Sequence, residues 1–453
     1  KETMKKINST TFKRIHFIGI GGIGISAIAR MFLRQAQDKS LLEGNPSTGS
    51  GRIRVSGSDI AESEVTEGLR QAGATIFIGQ KAGNIPADCD LVIYTIAVPP
   101  DNPEFAEAKR RGIPMMSYPE VLGKISRGKF TIAVSGTHGK TTTTAMIAKI
   151  LIDAKLDPTV VVGSLIKDET GRRTNFIGGK SKYFVVEACE YKRSFLNINP
   201  KVVVITNIDA DHLDYYKDID GVIKGFSEFA AKAPKDGFIV AQINNKNVKK
   251  AARGVLGGVV DYAKIEVRDL KLRVPGKHNI ENAKAALAVA EILGIDAAIA
   301  QSALSGFRGT WRRFEFCGKT ENGALVYDDY GHHPTEILAT LAGARELFPK
   351  QKIVVVFQPH LYSRTKDHLT AFGKCFKDAD EVIILPIYPA REKDPGDINS
   401  EMIVTEIKKN GQPAFFASNF ADAVTRAKSL SKSGDLIITL GAGETNKVAA
   451  LLV

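Results

Sequence analysis

The residue best suited to chemistry in this sequence is a lysine within a glycine-containing turn. An apolar, strand-like run at 130–135 leads directly into GTHGKTTT at 136–143, and a helical pattern follows. In such a turn, backbone N–H groups surround phosphate oxygens, Lys140 neutralises phosphate charge and the Thr141 hydroxyl can bind Mg²⁺. The first glycine of the strict motif is replaced by Val134. The pattern still predicts a phosphate site, whose residues are Gly136, Thr137, His138, Gly139, Lys140, Thr141 and Thr142.

Two further residues fall where a metal ion beside those phosphates would need ligands. Glu187 ends the strand-like run 183–187, and His212 follows the run 202–206 within TNIDADHLD. In an open parallel sheet, ligands gather beyond the carboxyl ends of the strands. Mg²⁺ prefers oxygen ligands, so Glu187 is a natural ligand and His212 an unusual one. Each residue alone suits a structural role, but beside a phosphate turn they predict that Thr141, Glu187 and His212 bind Mg²⁺ or Mn²⁺.

A second glycine turn lies near the start of the sequence. The strand-like run 14–18 enters GIGGIG at 19–24, and a helical pattern follows, as in turns that bind a pyrophosphate at a helix N-terminus. The expected acidic residue is Asp59, once a polar 17-residue segment at 35–51 is treated as a flexible surface insertion. The ligand is either a dinucleotide or a nucleotide-sugar, and a turn used only for packing is the alternative. The predicted ligand-binding residues are Gly19, Gly21, Gly22, Gly24, Ser26 and Asp59.

The elements that must position these turns are short apolar runs alternating with helical patterns, which is typical of parallel α/β sheets. Most runs are rich in Val and Ile, as expected of strands buried on both faces. Two domain boundaries are predicted. One lies near 122–129, where a glycine and a basic stretch precede a new strand, and the other near 309–313, where a new α/β run follows a helix-rich stretch. The predicted domains are therefore 1–123, 124–310 and 311–453. The predicted strands are Arg14–Ile18, Arg52–Ser56, Leu91–Thr95, Phe130–Ser135, Tyr183–Glu187, Val202–Thr206, Gly237–Ala241, Leu325–Asp328, Lys352–Phe357, Glu381–Pro386 and Asp435–Leu440.

Composition restricts the class of protein. The 453 residues suit about three domains, and 43% hydrophobic with 25% charged residues excludes extensive disorder. The net charge is +12, and residues 121–310 hold 29 basic against 19 acidic residues, which favours an anionic ligand there. Four dispersed cysteines predict a reducing, cytoplasmic compartment. No apolar run reaches the ~20 residues of a membrane span, and the basic start is not followed by the apolar region of a signal peptide.

Seven motifs in order identify a family. They are GTHGKTTT, EACEYKRSFL, TNIDADHLDYY, VPGKHNIENAKAA, RRFE, DDYGHHPTEI and FQPHLYSRT, and together they closely resemble the Mur ligases of peptidoglycan synthesis. The resemblance extends from residue 15 to about residue 443. It implies a Rossmann-like N-terminal domain that binds a UDP-sugar, a P-loop ATPase-like central domain with a mainly parallel sheet that binds ATP, and a Rossmann-like C-terminal domain that binds an amino acid.

The resemblance also implies a reaction. GIGGIG and DDYGHHPTEI are similar to the branch of the family that joins L-alanine to the lactyl carboxylate of UDP-N-acetylmuramate. There the carboxylate attacks the γ-phosphate of ATP to give an acyl phosphate, and the alanine amine then displaces phosphate. The implied partners are these three small molecules, with no nucleic acid, and the implied assembly is a monomer or a homodimer. Lys140, Glu187 and His212 are the implied catalytic residues.

Further site residues are assigned on the same resemblance. Asn279 and Asn282 are expected to face adenine, although they could simply cap a helix. Arg313 and Asp328, or its neighbour Asp329, are expected at the nucleotide, with Arg312 the alternative to Arg313. His332, His333, His360 and Arg364 are expected at the amino acid, with one of the adjacent histidines packing instead. Position 361 is Leu where the family commonly has Arg, so glycine or serine could compete with alanine. No role is carried over between residues 190 and 194.

Three other functions account for part of the pattern. A ligase that recycles a murein tripeptide onto the same UDP-sugar would share most motifs, and substrate preference distinguishes the two. A nicotinamide dehydrogenase explains GIGGIG but leaves GTHGKT without a role. A nucleic-acid-binding ATPase explains the positive charge, but not the flanking α/β domains, and would show salt-sensitive DNA binding.

Overall fold

A computed structural model describes residues 12–42, 53–167, 171–267, 270–390 and 392–453. The chain divides into two compact units, the first formed by Lys1–Glu266 with Lys284–Ala303 and the second by Val267–Ala283 with Leu304–Val453. Three mainly parallel sheets, each combined with helices, confirm the predicted α/β class. Within the described residues, no helix combines the length and the apolar character needed to cross a membrane.

The first sheet carries the first glycine turn. Its strands are β1 (Arg14–Ile18), β2 (Arg54–Asp59), β3 (Thr75–Ile78), β4 (Leu91–Tyr94) and β5 (Met115–Ser117), and its helices are α1 (Ile23–Leu42), α2 (Glu64–Gln71), α3 (Pro103–Arg110) and α4 (Tyr118–Ser126). All strands are parallel, in the order β3-β2-β1-β4-β5. The strand order reverses at β1, so the turn after β1 lies at the switch point where such sheets bind ligands.

The second sheet, also in the first unit, carries the phosphate turn. Its strands are β6 (Phe130–Ser135), β7 (Thr159–Lys167), β8 (Arg173–Ile177), β9 (Tyr183–Glu187), β10 (Val202–Ile205), β11 (Phe238–Ala241) and β12 (Gly258–Asp261). The order is β12-β11-β10-β6-β9-β7-β8. Among the described strands of this sheet, only β7 and β8 pair in antiparallel fashion. Because β9 and β10 flank β6, the residues that follow all three strands meet at one edge. The helices are α5 (Lys140–Asp153), α6 (Leu213–Tyr216), α7 (Ile219–Ala230) and α8 (Lys246–Ala251).

The third sheet forms the second unit. Its strands are β13 (Glu315–Lys319), β14 (Leu325–Asp329), β15 (Ile353–Phe357), β16 (Glu381–Ile384), β17 (Ala414–Phe416) and β18 (Leu436–Leu440), in the order β13-β14-β18-β15-β16-β17, with β13 antiparallel to β14. Helices α9 (Lys277–Ile292) and α10 (Ala297–Ser305) precede it. Its own helices are α11 (Pro334–Leu347), α12 (Tyr362–Asp367), α13 (Leu369–Phe372), α14 (Ser400–Lys409), α15 (Phe420–Leu430) and α16 (Thr445–Leu452).

Two predicted boundaries need correction. The boundary at 123/124 falls inside α4, because that helix continues to Ser126, and the second sheet begins only at Phe130. The predicted flexible insertion at 35–51 starts too early, since helix α1 continues through residue 42. The rest of that insertion, 43–51, lies outside the described residues. The predicted boundary at 310/311 falls between α10 and β13.

Candidate functional site

The phosphate turn between β6 and α5 is fixed by hydrogen bonds from the neighbouring strand end. Asn207 Oδ1 accepts from His138 N at 2.9 Å, while Asn207 Nδ2 and Thr206 Oγ1 both donate to His138 O. Gly136 and Gly139 adopt positive φ angles of 140° and 82°, and a β-carbon at Gly136 would collide with Thr206 Oγ1. The turn therefore needs glycine at both positions.

Lys140 lies at the start of α5 and folds back over the turn. Its Nζ donates to Gly136 O at 2.6 Å and to Thr137 O at 3.0 Å. It also forms an ion pair with Glu190 Oε1 at 2.9 Å. Burial lowers the pKa of Lys140, but the Glu190 carboxylate more than reverses this and leaves the pKa above its usual range. A permanent positive charge thus sits at a helix N-terminus that already favours anions.

The predicted metal ligands fall into two pairs. Thr141 Oγ1 donates to Glu187 Oε1 at 3.1 Å, and the other Glu187 oxygen accepts from Gly163 N at 2.7 Å. His212 instead faces Glu190, with 3.6 Å between His212 Nε2 and Glu190 Oε1. Glu190 is absent from the predicted site because no role is assigned between 190 and 194. The sequence feature that could have identified it is the second glutamate of EACE, which lies three residues after the predicted ligand Glu187.

These side chains fit a hard divalent cation. Thr141, Glu187 and Glu190 offer hydroxyl and carboxylate oxygens, the donors that Mg²⁺ prefers, and His212 adds one nitrogen. Glu190 Oε2 is buried and has no hydrogen-bond partner among the described residues. A buried carboxylate oxygen normally has a partner, so this atom marks a position for a positive ligand.

The two segments that present Glu190 and His212 have strained backbones that are tied together. Lys192, Arg193 and His212 have φ angles of 50°, 57° and 55°, which non-glycine residues rarely adopt. The Tyr216 hydroxyl donates to Glu190 O at 2.5 Å, and the Tyr191 ring packs on the His212 ring with centroids 4.9 Å apart. Strain of this kind persists only where surrounding contacts enforce it, and it is often found at functional sites.

The first glycine turn is held by Asp59. Gly21 N donates to Asp59 Oδ2 at 2.7 Å, and Gly19 has a φ angle of 75°. A β-carbon at Gly24 would lie 2.7 Å from Tyr118 Cζ, so the turn packs closely on the start of α4. Asp59 therefore orders the turn in this structure, and its ribose contact stays a prediction.

Ser26 lies inside the fold. The residue is wholly buried, and its hydroxyl donates to Ile23 O and accepts from Asn175 Nδ2 at 2.7 Å. Asn175 lies on β8, so this contact joins α1 to the second sheet. Ser26 therefore packs inside the first unit, and its contact with the UDP-sugar stays a prediction.

In the second unit, Asp328 lies inside the fold, and its contact with the nucleotide stays a prediction. It is 2% exposed, accepts from Arg312 Nε at 2.7 Å and accepts from Thr439 Oγ1 at 2.5 Å. Both carboxylate oxygens are thus used internally, and the Asp328–Arg312 pair is structural. Arg313 remains the more accessible arginine, with 27% of its side chain exposed and Nη1 3.8 Å from Glu336 Oε1.

The two adjacent histidines after β14 point differently. His332 faces His360 with ring centroids 5.9 Å apart, and His360 Nδ1 lies 3.1 Å from Arg364 Nη1. His333 caps α11 by accepting from Thr335 N, and it is 5% exposed. The structure therefore gathers His332, His360 and Arg364, whereas His333 caps α11, and the choice between the two histidines for the amino acid stays a prediction.

Leu361 and the paired asparagines are engaged inside the fold. Leu361 is 5% exposed and has a φ angle of 72°, and its N–H donates to Tyr388 O. Asn279 Nδ2 donates to Pro275 O at 2.6 Å, and Asn282 Nδ2 donates to Asn279 Oδ1 at 3.2 Å. These bonds lie in the first turns of α9, and adenine binding stays a prediction.

Asp329 gives a pH-dependent prediction. Burial raises the pKa of this carboxyl from 3.8 to about 6, although Arg313 lowers it. Between about pH 4 and 6 the folded chain then binds more protons than the unfolded chain, so the free energy of unfolding falls as pH rises. In urea unfolding, the free energy of unfolding of Asp329→Asn should rise by about 1 kcal/mol relative to that of wild type as the pH is raised from 5 to 7. A difference that stays constant with pH would contradict this.

Comparisons with known proteins agree with these features. Three family models match: the "Mur ligase family, catalytic domain" at residues 52–130, the "Mur ligase middle domain" at 134–266, and the "Mur ligase, glutamate ligase domain" at 312–443. A UDP-N-acetylmuramate–L-alanine ligase from Clostridium perfringens is 40% identical over 100% of this chain and 99% of its own length. A protein of the same name from Acetivibrio thermocellus is 40% identical over 100% and 98%.

Two solved structures are similar to this chain over nearly its full length. The UDP-N-acetylmuramate-alanine ligase of Thermotoga maritima has a TM-score of 0.76 and 31% identity, covering 97% of this chain and 98% of its own. A murein peptide ligase from Psychrobacter arcticus has a TM-score of 0.69 and 24% identity over 97% and 98%. The second likeness concerns the fold alone.

Proposed function

This chain belongs to the Mur ligase family, and from that premise we propose that it joins L-alanine to the lactyl carboxylate of UDP-N-acetylmuramate while ATP is converted to ADP and phosphate. The observation that carries the proposal is the 40% identity to proteins of that name along essentially the full length of both chains. The phosphate turn with its charged Lys140 supports the use of ATP. The product is UDP-N-acetylmuramoyl-L-alanine, a precursor for peptidoglycan, and hence for cell-wall synthesis, cell shape and division.

The first step brings two anions together. The lactyl carboxylate attacks the γ-phosphorus of ATP, the bond to the β-phosphate oxygen breaks, and an acyl phosphate and ADP result. Two unit charges 4 Å apart repel by about 4 kcal/mol at an effective dielectric of 20, so positioning and charge neutralisation dominate such transfers. The turn's N–H groups hold the phosphates, and Lys140 neutralises them. Thr141, Glu187 and His212 would hold Mg²⁺ ions, whose charge would supply further neutralisation.

The second step needs the amino acid. The alanine amine attacks the acyl carbon, and phosphate leaves from the tetrahedral intermediate. We assign the alanine carboxylate to Arg364, whose guanidinium is nine-tenths buried and is oriented by His360. His332 completes this cluster in the second unit. The UDP diphosphate is assigned to the GIGGIG turn, at the switch point of the first sheet.

The proposal also includes the compartment and the assembly of this protein. ATP and a UDP-sugar precursor are cytoplasmic metabolites, and all four cysteines are free, which suits a reducing compartment. A cytoplasmic monomer or homodimer is proposed. Mn²⁺ is expected to replace Mg²⁺, because both accept oxygen ligands.

A substrate panel tests the proposal. ADP release is measured with UDP-N-acetylmuramate and, in turn, L-alanine, L-serine, glycine and the murein tripeptide. L-Alanine is expected to have the highest kcat/KM, with glycine lower by about 10–200-fold because one methyl contact is lost. L-Serine should be rejected by about 100-fold at most, since an apolar pocket discriminates weakly against an added hydroxyl.

Other outcomes identify the alternatives. Preference for the tripeptide would replace the proposal with the recycling ligase. ATP hydrolysis that is stimulated by DNA and is independent of UDP-N-acetylmuramate would indicate the nucleic-acid-binding ATPase. Turnover of a nicotinamide cofactor would indicate the dehydrogenase.

A further inference from the structure

Glu190 is the buried carboxylate at the centre of the cation-binding residues. It lies three residues after the end of β9 and is 3% exposed. One oxygen, Oε1, lies 2.9 Å from Lys140 Nζ and 3.6 Å from His212 Nε2. A single carboxylate oxygen thus faces both the lysine of the phosphate turn and the histidine that follows β10.

The second oxygen of Glu190 is not accounted for by the fold. Oε2 is buried and has no hydrogen-bond partner among the described residues. Leaving an acceptor of a charged group unpaired in the interior is costly, and carboxylates in proteins usually bind through both oxygens. Lys140 therefore satisfies only half of this side chain.

The backbone of Glu190 is held independently of its carboxylate. The Tyr216 hydroxyl and Arg193 N both donate to Glu190 O, at 2.5 Å and 2.9 Å. Anchoring this segment thus needs no contribution from the side chain, so Oε2 can serve a ligand without loosening the backbone.

We propose that Glu190 is a further ligand of the divalent cation that accompanies ATP, binding it through Oε2 together with His212. The inference rests on the proposed function, because it presumes a nucleotide–metal complex at the phosphate turn. It assigns the pair Thr141 and Glu187 to one cation position and the pair Glu190 and His212 to a second. Lys140 then keeps its ion pair with Glu190 Oε1, and the cation binds the other oxygen of the same carboxylate.

Mn²⁺ binding tests this assignment without requiring turnover. Mn²⁺ is titrated into the full chain with a non-hydrolysable ATP analogue, and bound metal is followed by electron paramagnetic resonance. Glu190→Gln should weaken one class of Mn²⁺ site about tenfold or more, since even residues that only orient metal ligands contribute 10–100-fold. Affinity for the analogue at saturating Mn²⁺ should change far less.

Glu228→Gln is the matched control. Glu228 pairs with Arg193 of the same segment but is 37% exposed on its side chain. Equal Mn²⁺ weakening by both variants would mean that the segment was merely loosened, and it would overturn the assignment. Wild-type Mn²⁺ binding by a folded E190Q variant would also overturn it.

Glu190→Asp keeps the test decisive if E190Q does not fold. The shorter side chain keeps the charge beside Lys140 but withdraws the oxygen from the cation. Mn²⁺ binding weakened at least about threefold is expected, because metal sites depend steeply on ligand distance, and unchanged binding would refute the proposal. Failure of the alanine assignment would appear only in the substrate panel and would leave this titration unaffected.

Discussion

Replacing Lys140 by alanine is expected to abolish ligation, with kcat/KM falling by about 1,000-fold or more, the range seen when a single charge-stabilising group is removed from a phosphoryl-transfer site. The ammonium is buried against the turn carbonyls of Gly136 and Thr137 and stays charged through Glu190. No water molecule can supply an equivalent fixed charge without reorganising. ADP release with saturating UDP-N-acetylmuramate and L-alanine measures the loss.

Two controls separate chemistry from folding. Lys149 lies on the same helix, α5, but pairs with Asp153 at the surface, so Lys149→Ala should retain near-wild-type turnover. Removal of Lys140 also leaves the Glu190 carboxylate buried and unpaired, so thermal unfolding must be recorded for the variant. Turnover within about tenfold of wild type in a folded Lys140→Ala variant would contradict the catalytic role of the turn.

The parallel sheets could be predicted because buried strands have a distinctive composition. Strands β6 (Phe130–Ser135) and β9 (Tyr183–Glu187) match the predicted ranges, and both consist mainly of apolar residues with little exposure. Strands such as β8 and β12 were not predicted. They lie at the two edges of the second sheet. Strand β8 buries the polar residues Thr174 and Asn175, and β12 has no buried residue, so neither has the apolar pattern of a central strand.

The candidate site was predictable only where residue type alone determines the role. Glycines at positive φ and the lysine beside them are required by phosphate chemistry, so the turn could be identified from its sequence. The burial of Ser26 and Asp328 could not be predicted, because burial is set by tertiary packing and the sequence around a buried polar residue resembles that around an exposed one. Glu190 was missed because its contacts to Lys140 and His212 come from strand order, which places β9 and β10 on either side of β6.

Adjacent like residues show the same limit. Arg312 has a φ angle of 56° and is 4% exposed, whereas the side chain of Arg313 is 27% exposed. Local sequence does not encode that choice, because non-glycine residues adopt such angles only when the fold enforces them. The same holds for His332 and His333, of which one lines the cluster with His360 and the other caps α11.

Arg312→Ala should destabilise the second unit by about 3–5 kcal/mol, the usual cost of removing one partner of a buried ion pair. The guanidinium is buried and donates to Asp328 Oδ2, Gly441 O, Gly443 O and Thr445 Oγ1 at 2.7–2.9 Å. Alanine would leave a charged carboxylate and two carbonyls in the interior without these donors. Urea unfolding of the full chain measures the effect, through the transition that reports on the third sheet.

Arg313→Ala is the matched comparison for Arg312→Ala. Arg313 is partly exposed and lies 3.8 Å from Glu336, so its loss should cost about 0–1 kcal/mol of stability, as for other partly solvated ion pairs. Its proposed nucleotide contact predicts instead a larger effect on ATP affinity than on unfolding. Asp328→Asn should recover part of the Arg312→Ala loss in the double variant, because the unpaired charge is then removed. Equal stability of the two arginine variants would show that the Arg312–Asp328 pair does not hold the second unit together.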